Sequence, residues 1–314
     1  MTRGSGYLLF LAMCLIWGLT WLAIKTGVGS VPPLFFAGTR FLVAGAILLA
    51  WEFLYGERPK LERKDWPVLA LATLLMIVVT YGLLFWGMRQ VPSALGAVVN
   101  LSLTPTSLMA IGMLHGEERF SLRQAVAILL GIAGLVVLFR PGSMDVTSSA
   151  ESWGIAAIVG GSLAYSWGSV LSRPLLRRHS PVLVSAITCL LGGPILILLA
   201  LLLEPIGGAT LAALASPAVL ASWLFLVLFG SLVAFTIYLR LVRDWGAARA
   251  GLYAFVSPAI AVVAGIAAFG EVPRASDFLG MAIMLAATWF ALGSPLPRLR
   301  ALGYGRASGA APSD

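Results

Sequence analysis

Ten apolar stretches, divided into two groups of five by the polar patch from Arg140 to Ser152, constrain this chain more than any other feature of its sequence. They run over roughly 7–25, 32–54, 66–88, 93–115, 122–139, 153–172, 181–203, 217–241, 247–269 and 276–294, each long enough for a helix to cross a hydrocarbon core. Lipid cannot bond to backbone amides, and the runs do not alternate with period two, so the spans must be helices and not strands of a closed barrel. The expected fold class is an all-α membrane protein. Composition agrees, because 60% hydrophobic and 11% charged residues leave too little polar surface to cover a soluble globule of 314 residues.

The net charge of +8 raises the possibility of a nucleic-acid partner, but the basic residues are spread over short loops and line no single face. They read as topology. If the N-terminus and the even-numbered loops share a side, that side holds Arg3, then Arg58, Lys60, Arg63 and Lys64, then Arg119 and Arg123, then Arg173, Arg177 and Arg178, then Arg240, Arg243 and Arg249, and finally Arg298, Arg300 and Arg306. The other side has only Lys25, Arg89, Arg140 and Arg274, so the positive-inside rule predicts that both termini are cytoplasmic. The first span lacks a convincing small-residue cleavage site and is read as helix one, not as a signal peptide. Cys14 and Cys189 fall inside apolar runs and are expected to be packed thiols.

The two groups of five are copies of one plan. A shift of about 150 residues brings Trp17-Gly18 onto Trp167-Gly168, and a shift of 153 brings Pro105 onto Pro258 and Glu118 onto Glu271. Five is odd, so the second copy enters the membrane inverted, an arrangement suited to alternating access. The expected units are 1–143, 144–297 and a disordered cytoplasmic tail over 298–314. A duplicated scaffold with no transport path is the competing reading, because fold alone does not supply a function.

Trp17-Gly18-Leu19-Thr20-Trp21-Leu22-Ala23-Ile24-Lys25, with Pro32-Pro33 and Thr39-Arg40-Phe41 after it, resembles the first-repeat signature of the drug/metabolite transporter superfamily in its EamA-domain branch. A second signature occurs twice, from Ser93 through Pro105 to Glu118 and from Ala247 through Pro258 to Glu271. The resemblance covers essentially residues 7–294 and implies ten helices in two inverted repeats, residence in a bacterial inner membrane, and export of small metabolites, often amino acids. The aromatic amino acid exporters of this family are similar in length and topology. The halves are chemically unequal: Arg173-Pro174 stands near where Lys25 would recur, and Arg40 has no counterpart, so a site in one half does not transfer to the other.

Arg40, about eight residues into the second span, is the most conspicuous candidate, since an ionisable group inside the membrane is costly. It can bind a substrate carboxylate bidentately, or it can satisfy helix-end carbonyls or snorkel outward. Lys25 reads as an interfacial anchor. Trp17, Thr20 and Trp21, Tyr81 and Phe85, Asn100 and Ser102, Tyr165 and Trp167, Tyr238, and Tyr253 and Ser257 are candidates to line a central cavity for a small amphipathic solute; interface belts and ordinary packing are the alternative for each. Pro105 and Pro258 remove mid-helix hydrogen bonds and are candidate hinges. Small residues at Ala156, Gly160, Ala164 and Gly168, and at Ala127 and Gly131, mark packing faces.

No carboxylate lies mid-span, and both histidines, His115 and His179, lie at or beyond span ends, which favours a facilitator or exchanger over a proton-coupled drug antiporter. Glu118 and Glu271 are expected to cap loops or pair with Arg119 and Arg274. The sequence has no zinc helix, nucleophile elbow or Walker motif, so no enzyme activity, metal or other cofactor is expected. A receptor or assembly subunit would need a signalling output, and no soluble domain or long loop offers one. The expected partners are a small-molecule solute and membrane lipid, with the oligomeric state left open.

Overall fold

The computed structural model describes residues 3–56, 61–91, 93–139, 149–269 and 274–292. The expectations placed on Arg58, Lys60, Arg140, Glu271 and the tail 298–314, and on the side chains of Trp21 and Lys25, lie outside the described residues. Among the described residues nine helices are long and apolar enough to cross a membrane, and a shorter apolar one, α5, makes ten; in order they are α1 Arg3–Val28, α2 Pro33–Tyr55, α3 Trp66–Met88, α4 Ser93–Leu114, α5 Leu122–Phe139, α6 Ser149–Arg178, α7 Pro181–Leu203, α8 Pro217–Trp245, α9 Tyr253–Phe269 and α10 Ala275–Leu292. Short helices, Gly208–Leu214 and Ala247–Ala250, precede α8 and α9.

Helix starts follow local chemistry. α2, α7 and α8 open with Pro33, Pro181 and Pro217, where a fixed φ suits the first turn and the missing N–H costs nothing. Ser180 caps α7 by accepting from the Leu183 amide at 3.0 Å. Between α8 and α9 the chain turns at Gly246, whose φ of 91° is strained for any residue with a side chain.

The two groups of five interlock instead of sitting side by side. α2 packs on α7, and α5 on α10, so equivalent helices meet at the centre of the repeat; α1 packs on α8 and α9, as α6 packs on α3 and α4. The central pairs run antiparallel. Gly38 faces Gly193 and Ile197 while Gly45 faces Ala186 and Leu190, and Arg123 bonds the Phe290 carbonyl while Gly134 meets Gly280. Equivalent helices therefore point opposite ways, which is what an inverted repeat requires.

Glycine makes these approaches possible. A Cβ on Gly193 would stand 2.5 Å from the Leu42 nitrogen and 2.9 Å from the Gly38 carbonyl, and both are backbone atoms that cannot yield. Gly193→Leu is expected to destabilise the fold by about 3 kcal/mol or more, the upper range for overpacking, read as a lowered melting temperature in detergent. An unchanged melt would contradict this packing.

The ends of the central pair are clasped reciprocally. Glu204, after α7, accepts from the amides of Leu34 and Phe35 at 2.9 and 3.0 Å, at the start of α2. Glu52, near the end of α2, accepts from Ser180, the cap of α7, at 2.5 Å. Each carboxylate thus sits at the positive end of the other helix.

Both third helices carry a feature the sequence did not signal. α3 widens into a π-helix over Leu74–Val79, and α8 does so over Leu226–Phe235, at matching places in the two halves. The longer i to i+5 bonding shifts the ladder and leaves carbonyls to be satisfied elsewhere. Thr80 Oγ1 donates to the Leu75 carbonyl at 2.7 Å, and Trp17 Nε1 donates to the Gly230 carbonyl at 3.3 Å.

Candidate functional site

A cavity of about 400 Å³ lies between the two halves, walled by α1, α2, α3, α4, α8 and α9 with Tyr165 from α6. Val28, Pro33, Met88 and Arg89 stand at its end nearest the α1–α2 and α3–α4 connections; none of its described lining comes from the connections on the opposite face. Its walls are mostly apolar and aromatic, with few polar groups, as suits a small amphipathic solute.

Arg40 projects from α2 into this wall and is only 6% exposed. Its terminal nitrogen donates to the Tyr81 hydroxyl at 2.9 Å, and its guanidinium lies over the Phe41 and Tyr81 rings, 4.6 and 5.3 Å from their centroids. Its Nε is buried with no hydrogen-bond partner, and no described carboxylate pairs with it. The side chain therefore neither snorkels nor binds helix-end carbonyls. Cation–π contacts soften the cost of burying the charge without neutralising it. Arg89, at the mouth, differs: it is largely exposed and sits 3.8 Å from Glu204.

At the inner end the cavity meets an aromatic floor. The Trp17 ring lies 4.4 Å from Tyr253 and 5.3 Å from Tyr238, and Tyr165 lies 5.5 Å from Tyr238. Asn100 reaches the cavity from α4, and its Oδ1 accepts from Ser162 at 2.8 Å. Thr20 of α1 and Ser257 of α9 line the cavity, each donating its proton to a backbone carbonyl, of Trp17 and Cys14 respectively.

Of the residues singled out in the sequence, Trp17, Thr20, Arg40, Tyr81, Phe85, Asn100, Tyr165, Tyr253 and Ser257 line the cavity. Tyr238 does not. It is fully buried behind Trp17 and Tyr253, donates to Ser169 Oγ at 2.9 Å, and supports the floor. Trp167 is 44% exposed beside His115, on the outer side of α6, because Gly168 next to it is the residue pressed against Met76 of α3. Its partner in the repeat, Trp17, points inward, so the motif recurs without its contact. Ser102, two residues past Asn100 and so turned to the other side of α4, lies outside the lining with a buried hydroxyl that has no partner. The π-helical residues Met76, Ile77, Gly230, Ser231 and Phe235 were missed, because side-chain periodicity carries no sign of a local change in backbone bonding. Pro105 and Pro258 lie within helices α4 and α9.

The face opposite Val28, Pro33 and Arg89 carries charge networks that tie α6 to the α4–α5 connection. Arg173 of α6 lies 3.1 Å from Glu117 and 3.6 Å from Glu118, while Arg177 bonds Glu117 at 2.5 Å. Glu118 sits at the start of the helix Ala247–Ala250. Burial pushes its carboxyl above the ordinary range, against the opposing pull of Arg173 and the amides of Ala248 and Ala247. Its partner is thus Arg173 and not Arg119, because the chain returns α6 to this face and carries Arg119 outward. A Cβ on Gly246 would collide with Glu118 Oε1.

Nearby, the buried Asp65 carboxylate binds Arg178 and His179, both at 2.8 Å. Burial would raise its pKa, but the Glu62 amide, His179 and Arg178 outweigh that and hold it below the usual carboxylate value. A lowered carboxylate pKa stabilises the fold at pH above the ordinary value of about 3.9, and the stabilisation fades as pH falls through the lowered one. The difference in melting temperature between wild type and Asp65→Asn should therefore not shrink from pH 7 to about 5 and should fall only in stronger acid. A difference that vanishes by pH 6 would contradict the assignment.

Residues 4–140 and 152–293 match the EamA-like transporter family. The chain is 34% identical over 282 residues to the "Uncharacterized inner membrane transporter YedA" of Escherichia coli (strain K12), covering 88% of this chain and 87% of that protein. It is 26% identical to the "Uncharacterized transporter YvbV" of Bacillus subtilis (strain 168), covering 84% and 83%. One solved crystal structure superposes with a TM-score of 0.78 at 20% identity, over 92% of this chain and 97% of that one, which establishes likeness of fold.

Proposed function

Because the chain belongs to the EamA-like transporter family, and is accordingly a membrane transporter, we propose that it exports small metabolites across an inner membrane by alternating access between its inverted halves. The observation that supports this reading is a cavity between the halves whose lining extends to Val28, Pro33 and Arg89 near one face, with an aromatic floor at its other end and ion pairs on the face beyond. Exchanging conformations between the halves would close the mouth and open the opposite face. Pro105 and Pro258 are the hinges of this proposal, and the π-helical segments of α3 and α8 give each half a second place to yield.

The positive-inside rule supports a cytoplasmic position for the basic loops and both termini; with that orientation the described conformation opens outward. The solute would rest against Arg40, Tyr81, Asn100 and Trp17. Amino acids, aromatic ones included, fit this cavity in size, and their carboxylate suits Arg40. Transport by facilitation or exchange is favoured over proton antiport, because the described lining contains no carboxylate or histidine. No catalysis is assigned to the chain.

Counterflow in proteoliposomes loaded with labelled amino acids and related acids, with and without a pH gradient, tests the reading. Selective flux independent of the gradient is expected. Gradient-dependent flux would move proton-coupled antiport ahead, and no flux of any solute would overturn the export assignment.

A further inference from the structure

The polar groups of the cavity differ in what they have left to offer. Arg40 contributes a full positive charge that no described carboxylate offsets, and its buried Nε still has a donor to give. Tyr81 accepts from Arg40, so its own proton remains available. Asn100 has Oδ1 occupied by Ser162, which leaves its amide hydrogens. These three groups come from α2, α3 and α4 and converge on one cavity.

The acceptors of the described lining are uncharged. The described lining has no aspartate, glutamate or histidine. Two carbonyls associated with the π-helical segments, which would otherwise suit an ammonium group, are already engaged: Gly230 by Trp17 and Leu75 by Thr80. What remains is neutral: the second lone pairs of such carbonyls and hydroxyl lone pairs, such as those of Thr20 and Ser257. An α-ammonium group carried beside a carboxylate would be buried close to Arg40 with no counter-charge, a costly placement. A carboxylate alone would neutralise Arg40 and meet the donors of Tyr81 and Asn100, while its apolar body lay on Trp17, Phe85 and Tyr253.

We infer that the solute is a monoanion, a carboxylate on a ring-bearing apolar body, without an ammonium group to offset it. The inference rests on the transport reading above and narrows its solute class from amino acids to their non-aminated counterparts.

Three matched compounds test it: 3-phenylpropionate carries the carboxylate alone, phenylalanine adds the ammonium, and phenethylamine keeps the ammonium alone. Their binding to the purified full-length protein is read by quenching of tryptophan fluorescence, and counterflow is measured separately in proteoliposomes. At least tenfold tighter binding of 3-phenylpropionate than of phenylalanine, with none by phenethylamine, is expected. The neutral 3-phenylpropanamide should bind at least tenfold more weakly than the acid, a comparison made on the wild-type protein and so independent of whether any variant folds. Phenylalanine binding as tightly as the acid, or no binding by any of the three, overturns the inference. The expected binding order without counterflow would instead sink the transport reading and leave the site's ligand class standing.

Discussion

Arg40→Ala is expected to lower transport by two to three orders of magnitude while leaving a folded, membrane-inserted protein. Removing one partner of a desolvated charge pair typically costs about 2–5 kcal/mol, which is roughly thirtyfold to several thousandfold in binding. The same change should harm the fold little, because the guanidinium makes one side-chain hydrogen bond, to Tyr81, and occupies a place in the membrane that is costly for a charge. Arg40→Lys keeps the charge but loses the planar donor array, and should retain a partial, weaker preference for anions. Counterflow together with melting temperature separates the possibilities. Normal flux in a folded Arg40→Ala protein would remove Arg40 from the solute path, and loss of folded protein in both variants would make it a structural residue.

Arg173→Ala should have the largest effect on stability. It strips the stronger of two counter-charges from Glu118, whose carboxyl burial already pushes upward, leaving Arg249, and it leaves Glu117 to the half-exposed Arg177 alone. Breaking a buried pair from one side costs about 3–5 kcal/mol, so a clear fall in melting temperature is expected. Adding Glu118→Gln should recover part of that loss, because a buried charge left with only Arg249 to offset it goes with it, and the double-mutant cycle measures how much. The break should also loosen the closed face. In an Ala248→Cys background, where the native Cys14 and Cys189 are buried, a membrane-impermeant maleimide should label the new thiol faster once Arg173 is removed. A melt and a labelling rate equal to those of the parent would show that these ion pairs do not hold the face shut.

Much of this protein can be read from residues in order along the chain. Hydropathy located the helices because a membrane span is a local property: an unbroken apolar run of sufficient length has almost one way to satisfy its backbone. The odd number of spans between Trp17-Gly18 and Trp167-Gly168 already required inversion. Arg40 stood out for the same local reason, as a charge where charges are costly.

The inward or outward direction of a side chain is different, since it depends on which helix packs beside it. Trp17 and Trp167 share a motif and part company because Gly18 meets α9 while Gly168 meets α3, which rotates one indole into the cavity and leaves the other partly exposed. Glu118 finds Arg173 and the start of Ala247–Ala250 only after α6 and α8 have returned to its face, from residues far away in sequence. The π-helical turns at Leu74–Val79 and Leu226–Phe235 are choices of backbone bonding that leave the side-chain order untouched. The sequence by itself determined the class, the count of spans, the inverted repeat and the buried arginine, because each follows from solvation along one segment. Only the tertiary structure decided the cavity, its donor-rich wall and its closed face, because those depend on which distant backbones the small residues allow to touch.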